Sequence, residues 1–349
     1  MKKYQIMPYK MAGKVRLYIL MAVVFGLTLF DLFMMREEAK ACDMPRFEDF
    51  EDEHLAYKRD IKLLKNNSLH EQEDLGEVDS SERIFIMPDP PSDKTPHLSN
   101  VVIIGATNCG TLTLRQFLGL NHHIQITEQP TVCYFKKNFQ QNGDEWYLEQ
   151  MPYSSAEDIV LESCPYYFSS KEVPETMYKF NPNLKLLLIV CDPIQRLFSR
   201  YTDMKLNQRI NVTLAQFILN KHTNQVQPYH FEVRYGLYAE HLKKFLNAGY
   251  NLSQVHVIDG DKFKVDPVSE LKRVEDFLHI ENVINNSMVY YDDIKGYFCM
   301  LKWGLEVCMP KGKGKLKSND KETLSKLSEF YKMSNEQFFE LIGQRFPWK

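Results

Sequence analysis

Apolar positions follow two patterns along the chain. Leu17 to Met35 run almost unbroken, apart from Asp31 near the end, whereas from His97 onward short apolar runs alternate with segments of helical spacing. Val101 to Ile104 is β-branched and predicts a strand. The run LKLLLIV predicts a second strand that breaks at Asp192-Pro193, and QRLFSRYTDMKL after it has helical periodicity. Val255 to Ile258 predicts a third strand, closed by a turn at Asp259-Gly260-Asp261 and followed by the amphipathic segment SELKRVEDFLHI. A last helix is expected over KETLSKLSEFYK. Strands alternating with helices predict an α/β domain with a mainly parallel sheet flanked by helices.

The unbroken run has a different meaning. It spans residues 17–35 and follows Lys2, Lys3, Lys10, Lys14 and Arg16 with no intervening acid, as expected of a transmembrane signal-anchor. That predicts a cytosolic tail over 1–16, an anchor over 17–35 and a lumenal remainder. A cleavable signal peptide is the rival reading, opposed by the length of both the basic and apolar parts and by the lack of a small-x-small site. A buried core helix is disfavoured because the run is apolar all round. Residues 36–98 carry FEDFEDEHLAYKRD, HEQEDLGEVDSSER and the proline cluster MPDPPSDKTP. This acidic stretch reads as a stem, with a partner-binding acidic tail as the alternative, and leaves 99–349 as the lumenal domain.

Composition narrows the function. The net charge of -3 argues against a nucleic-acid binder. Sequons at Asn66, Asn211, Asn251 and Asn285 suit a lumenal chain. Seven cysteines leave at least one unpaired. Cys299 and Cys308, within YFCMLKWGLEVCMP, have the spacing of a hairpin-like loop closed by a disulfide. Cys109, Cys133, Cys164 and Cys191 lack metal-ligand spacing and read as small buried apolar residues; no metal site is expected, and Cys42 is assigned no partner.

The chemistry centres on VVIIGATNCGTLTLRQFLG. A strand ends at Gly105, and a loop with Gly110 and Thr111 opens an amphipathic helix, so backbone N–H groups and a helix dipole converge as in a phosphate cradle. No lysine stands there; Asn108 and Cys109 do. That absence and the lumenal placement exclude a nucleotide kinase or NTPase. In open parallel sheets ligands lie beyond the strands' carboxyl ends, where this loop, CDPIQRLFSRY and the turn after the third strand should meet. Two phosphate-adapted loops suit a ligand phosphorylated at both ends.

The order of strand-GxxxxGT-helix, WYLEQMPY, ESCPYYF, LLLIVCDPxxRxxSxY, HVIDGD, KGYFC and PKGKG closely resembles the heparan sulfate glucosamine 3-O-sulfotransferases over about 250 residues. The resemblance implies a P-loop-like sulfotransferase fold behind a Golgi type II anchor. It also implies transfer of a sulfo group from 3'-phosphoadenosine 5'-phosphosulfate (PAPS) to the 3-hydroxyl of a glucosamine in heparan sulfate. Mapped onto this chain, it makes Gly105, Asn108, Cys109, Gly110, Thr111, Arg196, Ser199, Lys311, Gly312 and Lys313 the residues that hold PAPS or its product PAP.

Chemistry is missing at several of these positions. The family's G-V-R-K-G-G-T is Gly105-Ala106-Thr107-Asn108-Cys109-Gly110-Thr111, with Asn108 for the lysine, and Leu112 follows where the family has arginine. E-N-E-V-H-F-F falls on Glu128 to Tyr134, with Pro130 for the catalytic glutamate; E-K-T-P has Ser163 for lysine, and R-D-P has Cys191 for arginine. In an extended segment Glu128 would share a face with position 130, making it the candidate substitute base. Two readings follow: a PAPS-dependent sulfotransferase with reduced activity, or a lumenal pseudoenzyme that binds an acidic glycan or a partner sulfotransferase. Lys311, Lys313, Lys315 and Lys317 are a polyanion contact in the second reading and a solvated loop otherwise.

Overall fold

The structure is a computed structural model that describes residues 94–136, 141–302, 305–309 and 321–348. The elements below belong to a compact unit of residues 77–228 and 232–349; Tyr229–Phe231 fall outside it. At its centre is a five-stranded parallel sheet of order β3-β5-β2-β6-β7, formed by β2 (Val101–Gly105), β3 (Ile124–Ile126), β5 (Ile159–Ser163), β6 (Lys185–Val190) and β7 (Val255–Asp259).

The predicted strands at 101, 184 and 255 and the helices after them are present. β2 and β6 are apolar at almost every position because both faces of the sheet are covered. Val102, Ile104, Leu186 and Leu188 pack on one face with Tyr238, Leu242, Phe245 and Phe338. Val101, Ile103, Leu187 and Ile189 pack on the other with Leu114, Phe117, Leu271 and Val274. The covering helices include α1 (Thr111–Leu118), α3 (Val173–Phe180), α7 (Tyr238–Ala248), α9 (Pro267–Leu278) and α10 (Lys321–Ile342), while α4 (Pro193–Leu206) packs through Ile194, Leu197 and Tyr201 with Leu327 and Tyr331 of α10. From β2 the chain runs to β3 and β5 on one side, then to β6 and β7 on the other. The carboxyl end of β2 is therefore the switch point, where α/β sheets place ligands.

Two small sheets complete the unit. β1 (Thr95–Pro96) pairs antiparallel with β4 (Tyr153–Ser154), so the fold already includes residue 95. β8 (Val289–Asp292), β9 (Tyr297–Lys302) and β10 (Leu305–Cys308) form an antiparallel sheet of order β10-β9-β8. Cys299 and Cys308 face each other across β9 and β10 and are bonded, with Cα atoms 3.9 Å apart, as the spacing predicts.

The other four cysteines correct the sequence reading. They are buried, but they are cystines rather than free apolar residues: Cys109 is bonded to Cys191 and Cys133 to Cys164. Both bridges are long-range, 82 and 31 residues apart, and no local spacing announces them.

Among the described residues no helix is long and apolar enough to cross a membrane. The tail over 1–16, the anchor over 17–35, Cys42, Asn66, Lys311, Gly312, Lys313, Lys315 and Lys317 lie outside the described residues.

Candidate functional site

The carboxyl ends of the five parallel strands form a rim that is laced strand to strand. Cys133–Cys164 joins the segment after β3 to the end of β5, with Cα atoms 5.0 Å apart. Between β5 and β2, the Phe168 N–H donates to the Ile104 carbonyl at 2.8 Å. A Cβ on Gly105 would come within 2.6 Å of the Phe168 Cβ and 3.2 Å of the Pro165 carbonyl. Close packing of this segment, rather than a ligand, therefore requires Gly105. Cys109–Cys191 joins the loop after β2 to the end of β6, with Cα atoms 5.4 Å apart. On the β7 side, a Cβ on Gly260 would meet the Val190 carbonyl at 2.8 Å and the Cys109 carbonyl at 2.9 Å, so only glycine fits there too. The three loops expected to meet at this end do meet.

The phosphate-type loop has spent part of its donor set. The Ala106 N–H is given to Ile189 at 2.6 Å and the Cys109 N–H to Ala106 at 3.3 Å. Asn108 is half-buried, with its carbonyl oxygen 4.0 Å from the Cys191 sulfur. Gly110 caps α1 without a side-chain acceptor, and Thr111 opens the helix almost buried. The first turn of α4 is capped by Asp192, whose carboxylate accepts from the Ile194 N–H at 2.8 Å.

The guanidiniums beside the rim are engaged within the domain. Arg196 is fully buried; its Nη1 donates to Glu232 Oε2 at 3.2 Å and to Thr107 Oγ1 at 3.5 Å, and its Nη2 donates to the Glu232 carbonyl. Arg200 donates from Nε to the other Glu232 oxygen at 3.0 Å and from Nη1 to Asp203 at 3.4 Å. Glu232, which the sequence reading passed over, thus neutralises the cation expected to meet phosphate. The Nε of Arg196 has no hydrogen-bond partner among the described residues. Ser199, one turn along α4, is half-buried. Arg115 is buried and donates to Thr127 Oγ1 at 3.2 Å and to the Gln129 carbonyl at 3.3 Å.

That contact shapes the segment where a base is expected. β3 ends at Ile126, and the chain bends over 128–130, leaving Glu128 exposed and Pro130 buried. The extended geometry that would align Glu128 with position 130 is absent, because Arg115 holds the bend from inside.

A different carboxylate is buried at the rim. Glu162 of β5 is fully buried and accepts from the Tyr147 hydroxyl at 2.6 Å, the Tyr167 hydroxyl at 2.7 Å, and the Cys133 and Tyr134 N–H groups. Burial pushes its pKa up to about 7 against the pull of these donors. With donors on both oxygens and no exposure, it ties β5 to the 133–134 segment and has no opening toward a substrate hydroxyl. A lone acid inside the apolar strand IVLES was the signal for it.

This layout has known counterparts. The Sulfotransferase domain family model matches residues 98–338. Heparan sulfate glucosamine 3-O-sulfotransferase 5 from Homo sapiens is 31% identical over 263 residues, spanning 73% of this chain and 75% of the relative. The chain belongs to the heparan sulfate glucosamine 3-O-sulfotransferase family. The mouse (Mus musculus) counterpart is 30% identical over the same length. Heparan sulfate glucosamine 3-O-sulfotransferase 3B1 from Mus musculus is 29% identical over 258 residues, spanning 72% of this chain and 65% of the relative. Among solved structures, a sulfotransferase from Alicyclobacillus acidocaldarius aligns with a TM-score of 0.53 at 19% identity, covering 72% of this chain and 98% of that one. That likeness concerns the fold. Sulfotransferases as a family use PAPS as donor.

Proposed function

We propose that this protein is a lumenal, membrane-anchored member of the family that binds an acidic glycan of the heparan sulfate class without transferring a sulfo group. The observation that carries this reading is the Cys109–Cys191 bridge, which fills the place of a phosphate-binding arginine with sulfur. The rest of the rim agrees. Pro130 offers no proton acceptor, Asn108 no charge, and Arg196 is already neutralised by Glu232. These residues do not fit a donor with phosphate at both ends. Losing a general base costs roughly 10²–10⁴ in rate and one charged donor roughly 10²–10³. Three cystines and exposed sequon asparagines at 211, 251 and 285 support an oxidising, glycosylating compartment, for which the Golgi lumen is the family's setting. The lysines at 311, 313, 315 and 317 supply the glycan contact in this reading.

The full chain, incubated with radiolabelled PAPS and heparan sulfate, should transfer no label above background while still being retained on immobilised heparan sulfate at low salt. Turnover comparable to an ordinary family member would overturn the reading. In that case the exposed Glu128 becomes the base to test, and Glu128→Gln should abolish the turnover.

A further inference from the structure

An asparagine side chain is open to attack by its own main chain, because the amide nitrogen of the next residue lies within reach of its carboxamide carbon. The attack needs a following residue without a Cβ, a nitrogen whose N–H is not held, and a carboxamide free to turn. Of the asparagines in this chain only Asn142 precedes glycine. It stands directly before α2 (Gly143–Glu149), which carries Trp146 and Tyr147.

All three conditions are met there. Asn142 is exposed, and its side chain makes no capping hydrogen bond. Gly143 is the first residue of α2, so its N–H has no acceptor within the helix. Its φ is +85°, and among the described residues a Cβ built on it would meet nothing within 4 Å. The peptide between the two residues can therefore turn without displacing a neighbour. Asp259–Gly260 shows the opposite case, a pair open to the same cyclisation but held by the fold. The Asp259 carboxylate accepts from the Asp261 and Lys262 N–H groups, each at 3.0 Å. Gly260 is buried, with the Val190 carbonyl 2.8 Å from where its Cβ would stand.

We propose that Asn142 is a site of spontaneous modification, where the folded chain converts its own asparagine to isoaspartate and aspartate through a succinimide. The Gly143 nitrogen bonds to Cγ of Asn142, the Cγ–Nδ2 bond breaks, and ammonia leaves with the proton that the nitrogen gives up. Water then opens the ring. Opening at the main-chain carbonyl gives isoaspartate and opening at Cγ gives aspartate, with no oxidant or cofactor required. Both products add a carboxylate beside Asp144, which accepts from the Tyr134 hydroxyl, and isoaspartate also adds a carbon to the main chain just before α2. The change falls next to the stacked pair of Tyr134 and Tyr147, ring centroids 4.2 Å apart, that reaches Glu162 through the Tyr147 hydroxyl. It is independent of the proposed glycan binding.

The test ages the full chain at mildly alkaline pH, native and in urea, and follows each asparagine by peptide mass mapping. Labelled methyl transfer by an isoaspartyl methyltransferase scores isoaspartate. In the native chain Asn142 should convert at least tenfold faster than Asn247 or Asn286, and less than tenfold more slowly than in urea. Asn142→Gln should remove most of the methyl label, and isoaspartate at Asp259 should form in urea but not in the native chain. A smaller lead over Asn247 and Asn286, a tenfold or greater slowing by the fold, native Asp259 keeping pace with Asn142, or a label that survives Asn142→Gln overturns the proposal.

Discussion

The rim of the parallel sheet and the antiparallel sheet of β8 to β10 each combine a disulfide with a carboxylate that accepts from tyrosine, yet the two combinations do different work. In the antiparallel sheet Cys299–Cys308 joins residues 9 apart that strand pairing already places opposite each other. Glu306 beside it is exposed and accepts from the Lys295 ammonium and the Tyr290 hydroxyl. These partners, Lys295 foremost, hold its carboxyl below the ordinary range. At the rim, Cys109–Cys191 joins residues 82 apart across adjacent strand ends. Glu162 there is sealed from water, and its pKa is pushed up. The first arrangement decorates a hairpin that its sequence already specifies. The second holds together, by covalent ties and buried hydrogen bonds, loops from different strands that no local pattern brings together.

The largest expected effect lies in the bridges. By chain entropy a bridge across 82 residues contributes about 4.5 kcal/mol and one across 9 about 2.5. Urea unfolding should therefore find Cys109→Ser with Cys191→Ser markedly less stable than Cys299→Ser with Cys308→Ser. Equal losses would show that the rim bridge constrains nothing beyond its neighbours.

The carboxylates sharpen the contrast through pH. The folded state keeps Glu162 protonated up to about 7, whereas the unfolded chain releases that proton near 4.5. Its stabilisation is complete below the unfolded value and is lost as pH rises through about 7, a loss of about 3 kcal/mol. Glu162→Gln should flatten that slope between pH 4.5 and 7.5. Glu306→Gln should leave it unchanged, because water screens the Glu306 pair. A wild-type slope that survives Glu162→Gln would assign the titration elsewhere.

The smallest effect concerns charge. Asn108→Lys places an ammonium in the loop without opening the bridge, so PAP affinity should change less than threefold. A larger gain would mean that the missing cation, rather than the sulfur, limits the site.

Sequence and structure agree where periodicity carries the information. Val101, Lys185 and Val255 begin strands that the apolar runs announce, and the helix after Asp192-Pro193 starts where proline and a capping carboxylate put it. β3 and β5 were not legible, since IQI is too short to show a period and IVLES hides a buried acid. At the rim the replacement of lysine, glutamate and arginine was readable residue by residue. What replaced them was not. A disulfide between 109 and 191 depends on β2 and β6 being neighbours, and the capture of Arg196 by Glu232 depends on chain 36 residues away. Both are tertiary facts with no local signature.

The rim of this sheet is tied covalently between β2 and β6, and non-reducing peptide mapping of the full chain reads that tie out. A linked pair of peptides carrying Cys109 and Cys191 should appear and be released only on reduction. Recovery of both cysteines alkylated before any reductant is added would contradict it.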